Sequence, residues 1–369
     1  LRHVKYEETL KMKQNAVQSL VNKTLKNKLQ IKETVGMENP LHYRNKAQYP
    51  IGINKKGEPV IGVFANRTHE VIPIDNCLIQ NKKSEEIAKF IIEFIKEKNI
   101  SIYDEKKGKG LVRHIVTKVG IKTGEIMCVI VINGHKIPNE NELVENLKTR
   151  YPEIKAIVKN INMKNTNVIL GQENINLYGN GYIEDILGEY KFKISPLSFY
   201  QVNPVQAEKL YNLGVSMAEI TKNDIVFDLY CGIGTISLFM SKFAKKVYGI
   251  EIVEEAVKMA KENAQNNNVS NTEFFAGDVE IVLDDLINNK GLKADVVMFD
   301  PPRKGLDKKS IDNILNIRPK KIVYISCNPA TLIRDLADFE NEYDIKTIIP
   351  VDMFPFTSHV ECVATLQLK

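Results

Sequence analysis

Three short stretches in the last third of the chain combine residue types that chemistry uses. They are Asp300-Pro-Pro-Arg303-Lys-Gly305, Ser326-Cys327-Asn328-Pro329 and His359-Val-Glu361-Cys362. A cysteine taken alone is more often a small buried apolar side chain than a reactive one. Cys327 follows an apolar strand-like run and precedes an Asn-Pro turn and a helix N-terminus, a setting that favours the thiolate. A thiolate beside carboxylates suits one demanding alkylation. C5 of a uracil is a poor nucleophile towards a sulfonium methyl, but addition of a thiolate at C6 turns C5 into an enolate carbon. That route needs hydrogen bonds for charge growing on O4 and a base for the C5 proton. Cys327 is therefore the candidate nucleophile, Glu361 the candidate base and Asp300 the group that orients the uracil edge. Arg303, Asn328 and His359 are candidate substrate contacts beside them. Pro301, Pro302 and Pro329 stiffen the loops. A D-P-P loop also serves methyltransferases that act on planar nitrogen, so that loop alone does not choose the target atom.

The cofactor for such a transfer has its own signature upstream. Asp228-Leu-Tyr230-Cys-Gly232-Ile-Gly234 ends an apolar strand-like run and opens a helix, with glycines where the backbone must turn sharply. Glu251, about twenty residues on, is placed to accept hydrogen bonds from ribose hydroxyls, and Asp278 after Gly277 to meet an adenine edge. A dinucleotide would prefer a third glycine where Ser237 stands, and Asp228 would repel a pyrophosphate while suiting an ammonium group. The pattern favours S-adenosylmethionine over NAD.

The elements that must hold these residues follow from periodicity. After about Lys191 the chain changes to alternating strand-like and helix-like runs, a catalytic domain over 191–369, with strands at 224–229, 246–251, 272–275, 294–299 and 321–326. Helices are expected at 235–243, 254–266, 279–287, 310–317 and 330–339. That rhythm predicts a Rossmann-like, doubly wound and mainly parallel sheet, whose strand carboxyl ends line a ligand crevice. The closing runs 345–350 and 360–368 are too close for a helical crossover, so an antiparallel pair is expected. Residues 37–190 read as an α+β module, with strands at 60–64, 126–132, 154–160 and 167–171 and helices at 84–98 and 139–149. Ahead of it, 6–29 has the spacing of an amphipathic helix within a segment 1–36. Phe199, Gln201 and Asn203 precede the sheet as possible stacking and hydrogen-bonding groups.

The 369 residues call for two or three domains, and the composition is that of an ordinary globular chain, 43% hydrophobic and 26% charged. A net charge of +5 is compatible with nucleic acid. Arg2, Lys5, Lys11, Lys13, Lys23, Lys26 and Lys28 make the first helix basic, a solvated face or an RNA-facing one. Five scattered cysteines without a C-x-x-C pair argue against a disulfide scaffold and suit a reducing cytoplasm. No membrane-length apolar run or signal peptide is seen. A monomer is expected.

The F-x-Q-x-N run through Asn203, D-L-Y-C-G-x-G, D-P-P-R-x-G, S-C-N-P and H-V-E occur in the order found in the RNA uracil-5-methyltransferases, which this chain resembles over about its last 180 residues. The resemblance implies S-adenosylmethionine as methyl donor and RNA as substrate, either 23S ribosomal RNA, the favoured one, or the transfer RNA T-loop. It implies Gln201, Tyr230, Glu251 and Asp300 as cofactor or target contacts, Cys327 as nucleophile and Glu361 as base. Tyr43-Arg-Asn-Lys46 and Leu111-Val-Arg-His114 are similar to the family's RNA-facing insert. Ribosomal members usually carry an N-terminal β-barrel and a cysteine cluster for an iron–sulfur centre. Here Cys77 resembles its distant fourth ligand, and one cysteine cannot hold a cluster that needs about four thiolates. Without an initiator Met, the chain is expected to lack an N-terminal piece, and no metal is expected in it as it stands. Two other readings remain: an N-methyltransferase without covalent catalysis, and a nonenzymatic RNA-binding scaffold.

Overall fold

A computed structural model describes residues 3–369; Arg2, counted above among the basic residues, lies outside them. In chain order, α1 (Tyr6–Thr24) is followed by β1 (Lys46–Ile53), β2 (Pro59–Phe64), β3 (Val71–Pro73), α2 (Lys82–Glu97), β4 (Val112–Val119), β5 (Ile126–Ile132), α3 (Glu140–Arg150), β6 (Ile154–Ile161), β7 (Glu173–Tyr178), β8 (Ile183–Leu187) and β9 (Tyr190–Ile194). Then come α4 (Pro204–Ala218), β10 (Ile225–Leu229), α5 (Thr235–Ser241), β11 (Lys246–Glu251), α6 (Glu254–Asn266), β12 (Thr272–Ala276), α7 (Val279–Asp284), β13 (Val296–Phe299), α8 (Lys308–Ile317), β14 (Lys321–Ser326), α9 (Pro329–Phe339), β15 (Tyr343–Val351) and β16 (Glu361–Leu368). The chain divides into two units, Leu41–Pro204 and Leu1–Pro40 joined by Val205–Lys369.

The second of these holds the Rossmann-like sheet, in the order β12-β11-β10-β13-β14-β16-β15. Strands β10 to β14 pair in parallel, whereas β16 is antiparallel to both β14 and β15. The short β-branched runs explain these strands: all four residues of β13 and five of six in β14 are buried, as expected of a sheet covered on both faces. α9 begins where Asn328 accepts a hydrogen bond from the Ala330 N–H and Pro329 presets the first turn.

α1 belongs to this core and is not a separate segment. Val17, Val21 and Leu25 are buried in one cluster with Leu332, Ile333 and Leu336 of α9, worth roughly 1.5–3 kcal/mol for each large side chain. The helix stops at Thr24, earlier than its periodicity suggests, because Leu25 is extended. The following residues then run beside β15, with Lys32 N donating to Ile348 O (3.0 Å) and Val35 N to Pro350 O (2.8 Å).

The unit Leu41–Pro204 is an α+β module built on a sheet of order β3-β2-β1-β4-β5-β6-β7. Its pairs are antiparallel except β5–β6, which α3 connects. In α2, Ile87, Ile91 and Ile95 recur at helical spacing and are buried with Leu143 and Leu147 of α3. β8 and β9 form a separate hairpin, so residues 191–204 lie in this unit and the expected boundary at 190 moves to 204. The expected strand at 167–171 is a loop. There the Asn162 amide donates to the carbonyls of Val168 (2.7 Å) and Ile169 (3.0 Å), and Asn160 binds Gly171. Side-chain amides thus take the place of a ladder, and the strand forms six residues later as β7.

Two basic placements are corrected. Lys13 is buried, donating to the buried Asp352 carboxylate and to Phe354 O (3.1 Å), so it does not face RNA. Arg113 is likewise buried, with Nη1 on the carbonyls of Asn162 and Lys164 (both 2.8 Å) and Nη2 on Glu105 (3.1 Å). Removing one member of a buried ion pair strands the other charge. Lys13→Glu is expected to lower unfolding free energy by about 3–5 kcal/mol in urea titration, whereas Lys11→Glu, exposed, leaves the midpoint nearly unchanged. Equal midpoints for the two variants would contradict the buried pair.

Candidate active site

The site begins at the end of β10, where the chain visits the left-handed region at Tyr230 (φ 64°), Gly232 (φ 55°) and Gly234 (φ 79°). A non-glycine residue there is strained, a cost tolerated at functional turns. Gly234 is also needed for packing, since a Cβ would lie 3.0 Å from Ala260 Cβ and from the Phe274 ring. At Gly232 a Cβ would meet nothing within 4 Å, so the space before the loop is open. The Tyr230 ring packs on the core, with its hydroxyl 3.4 Å from Ser310 Oγ.

Ser237, at the position where a dinucleotide fold would carry its third glycine, donates its hydroxyl to Asp228 Oδ2. The other oxygen, Oδ1, is buried without a partner. Burial pushes the Asp228 carboxyl up to about 7; the Ser237 bond opposes this and the nearby Asp300 and Glu251 add to it. Glu251 ends β11, accepting from Gly232 N (3.1 Å) and Val253 N (3.0 Å). Asp278, after β12, is exposed and caps α7 through Glu280 N (2.9 Å). Asp300 follows β13. Carboxylates thus stand at or just past the ends of four adjacent parallel strands, a field that repels phosphate and suits a cationic ligand. The orphaned Asp228 oxygen and the open space at Gly232 fit a cofactor bearing an ammonium and a sulfonium.

The candidate chemical residues are brought together by strand register. The β14–β16 ladder ends at the Ser326–Cys362 pair, so Cys327 and Glu361 are the residues next to that pair on the two strands, and Glu361 is near enough to raise the Cys327 thiol. Glu361 is buried, and this desolvation, with Asp300 nearby, raises its carboxyl to about 8. The Asp300 residue keeps some open surface, yet its carboxyl group is buried and is pushed up to about 7. The half-buried Cys327 thiol is raised by burial first, then by Glu361 and Asp300, with Arg303 opposing. That corrects the expectation from the helix N-terminus alone: the carboxylates and desolvation outweigh it.

The Asp300 loop is latched to α9. Asn328 Nδ2 donates to Arg303 O (3.0 Å), and Thr331 Oγ1 to the same carbonyl (3.3 Å). Asp335, buried in α9, accepts from Leu306 N (2.8 Å) and from the Tyr324 hydroxyl (2.7 Å). Gly305 is required there, because a Cβ would fall 2.5 Å from Asp335 Oδ2. Asn328, expected at the substrate, uses its amide on the loop and its oxygen on the helix cap. Arg303 Nη2 and His359 Nδ1 lie 3.1 Å apart on the exposed side. Asp335 and Asp352 were not among the expected site residues; an acid on the apolar face of the helical run is the signal for the first. Asp352 accepts from Lys13 and from the Tyr6 hydroxyl (2.8 Å) and offers its carbonyl to Gln206 (3.1 Å), fixing the segment that leads to Glu361.

Phe199 and Gln201 lie in the other unit. Phe199 is 72% exposed, and the Gln201 carbonyl accepts from Asn45 Nδ2 (3.0 Å). Cys77 is half-buried, its N–H donating to Glu85 (2.8 Å). Among the described residues no group of three or more His, Cys, Asp or Glu is arranged to hold a metal, and no helix is long and apolar enough to cross a membrane.

A parallel sheet of this order with a glycine turn and carboxylates at its strand ends is the fold of an S-adenosylmethionine-dependent methyltransferase. The tRNA (uracil-54, C5)-methyltransferase from Pyrococcus abyssi, solved with S-adenosyl-L-homocysteine, superposes with a TM-score of 0.80 at 28% identity, over 99% of this chain and 84% of that one. An uncharacterized RNA methyltransferase from Clostridium acetobutylicum is 48% identical over 371 residues, all of this chain and 80% of the relative. Another from Caldanaerobacter subterraneus is 47% identical over 368 residues, covering 100% and 81%. The model of the tRNA (uracil-5-)-methyltransferase family matches residues 5–369, and the chain belongs to that family.

Raised carboxyls leave a trace in stability. Glu361 ordinarily titrates near 4.5 and here near 8, so between those values the folded chain holds a proton that the unfolded chain has released. Its contribution therefore falls as pH rises through that window. Glu361→Gln is expected to flatten this part of the stability profile, read from urea titrations at about pH 5 and about pH 8. A slope unchanged by the substitution would contradict the desolvated carboxyl.

Proposed function

We propose that this enzyme methylates C5 of a uridine in 23S ribosomal RNA through covalent catalysis by Cys327. The observation that carries the mechanism is the register that brings Cys327 and Glu361 to the same end of the β14–β16 ladder, with Asp300 at the end of the next strand. The half-buried Cys327 thiol gives up its proton to water, the thiolate adds to C6, and the electron pair of the C5–C6 bond moves onto C5 and O4. Asp300, whose buried carboxyl is pushed up to about 7, can in its protonated form donate a hydrogen bond to the uracil edge as charge develops there. S-adenosylmethionine, held by Asp228, Glu251 and Asp278 before the Gly232 turn, supplies the electrophilic methyl group when bound. Glu361 then takes the C5 proton, the C5–C6 double bond re-forms and the thiolate leaves. Glu361 must be ionised to take that proton; the positive charge of a bound cofactor would favour the carboxylate, and a carboxylate whose pKa burial has raised to about 8 is a stronger base than a solvated one. For any duplex or stacked target, the uridine must leave its stack to reach the thiol.

The second reading, a transfer RNA T-loop uridine, is favoured by the likeness to the Pyrococcus abyssi enzyme. Cys327→Ala is expected to abolish methyl transfer while S-adenosylhomocysteine still binds in calorimetry. The parent enzyme should form a denaturation-resistant adduct on 5-fluorouridine RNA, since fluorine at C5 cannot leave as a proton. Full activity in Cys327→Ala would instead indicate direct, noncovalent transfer. Mapping 5-methyluridine in cells without the gene decides the substrate: loss from 23S ribosomal RNA supports the proposal, and loss from transfer RNA alone supports the second reading.

A further inference from the structure

The segment from Ser195 to Asn203 carries Phe199 and is held by an unusual anchor. Lys118, in the middle of the unit's sheet on β4, is 4% exposed. Its ammonium donates to the carbonyls of Ser195 (2.7 Å) and Ser198 (2.8 Å). Burying an ammonium is costly unless hydrogen bonds replace water, and Lys46 lies directly across the strand pair. Burial, with Lys46 adding to it, draws the Lys118 group down to about 7. An apolar side chain would fill that place at less cost but would offer no donor to the carbonyls that Lys118 grips.

Other bonds close the same turn. Ser195 N donates to Ser198 Oγ (2.8 Å), and Ser198 N to Ser195 Oγ (3.2 Å). The Tyr200 hydroxyl donates to the buried Asp185 (3.2 Å). Asn45 clasps the far side, its N–H on Val202 O (2.9 Å) and its amide on Gln201 O (3.0 Å). Within this fixed frame Phe199 stays 72% exposed, an aromatic ring with its backbone immobilised on both sides. Large exposed aromatics on rigid turns are what base stacking uses.

We propose that Lys118 is a positioning residue: by gripping the carbonyls of Ser195 and Ser198 it fixes the turn from which Phe199 is presented to the RNA. The proposal rests on the reading of the chain as an RNA methyltransferase whose Phe199 touches a base. Lys118 itself touches neither substrate nor cofactor.

The chain has no tryptophan, so Phe199→Trp installs a single fluorescent reporter on the turn itself. In that background Lys118→Met is expected to lower the anisotropy of the indole while the melting temperature of the whole enzyme stays within a few degrees. In the parent background Lys118→Met should reduce kcat/KM for RNA by about ten- to hundredfold, the usual effect of small misplacements. Lys118→Arg, which keeps donors for both carbonyls, should restore most of both signals. Unchanged anisotropy and unchanged kcat/KM in Lys118→Met would overturn the proposal. Should Lys118→Met fail to fold, Lys118→Gln must give intermediate mobility, and an anisotropy equal to the parent's would again overturn it. Loosened indole together with full activity in Phe199→Ala would support the positioning role and sink Phe199 as a base contact.

Discussion

The antiparallel insertion of β16 between β14 and β15 is the constraint on which the chemical site depends. In a purely parallel sheet the carboxyl end of β14 would have only other strand ends beside it. Because β16 runs the opposite way, its first residues arrive where β14 finishes, and Glu361 and Cys327 stand next to the Ser326–Cys362 pair on the two strands. A slip of one residue would turn Glu361 to the other face of the sheet. The buried side chains along both strands, from Ile322 to Ile325 and from Cys362 to Leu366, set that register.

Desolvation then gives each acid its character. Asp228, Asp300 and Glu361 are all raised by burial, and Asp300 adds to the shift of both Asp228 and Glu361. The same field keeps the Cys327 thiol protonated more than a solvated one, with Arg303 as the opposing charge. A cationic cofactor before these strand ends would relieve that repulsion, which links the cofactor turn to the chemical pair. Two further acids act as struts: Asp335 ties the Asp300 loop to α9, and Asp352 ties α1 to the segment before Glu361.

Much of this was legible in the sequence where local pattern and tertiary role agree. The alternating runs after Asp224 gave β10 to β14 and their helices to within a few residues, because apolar β-branched strands and amphipathic helices carry strong periodicity. The closing antiparallel pair followed from its short connection. β1 and β4 escaped notice, since Lys46, Gln48, Arg113, His114 and Lys118 interrupt their apolar pattern and only tertiary contacts explain those residues. Lys13 misled for the same reason. On a helix its charge reads as solvent-facing, and its partner Asp352 lies more than three hundred residues away. The thiol's raised pKa was equally beyond local reading, because it comes first from burial and then from Glu361 in β16 and Asp300 just past β13.

The pairing of Cys327 with Glu361 as nucleophile and base is tested most directly with ordinary RNA and Glu361→Gln. With the base removed, C5 keeps its proton after methylation and the thiolate cannot be expelled. Incubation with S-adenosylmethionine should therefore accumulate a denaturation-resistant protein–RNA adduct, absent when Cys327→Ala is added. Undiminished turnover by Glu361→Gln, with no adduct, would contradict the account.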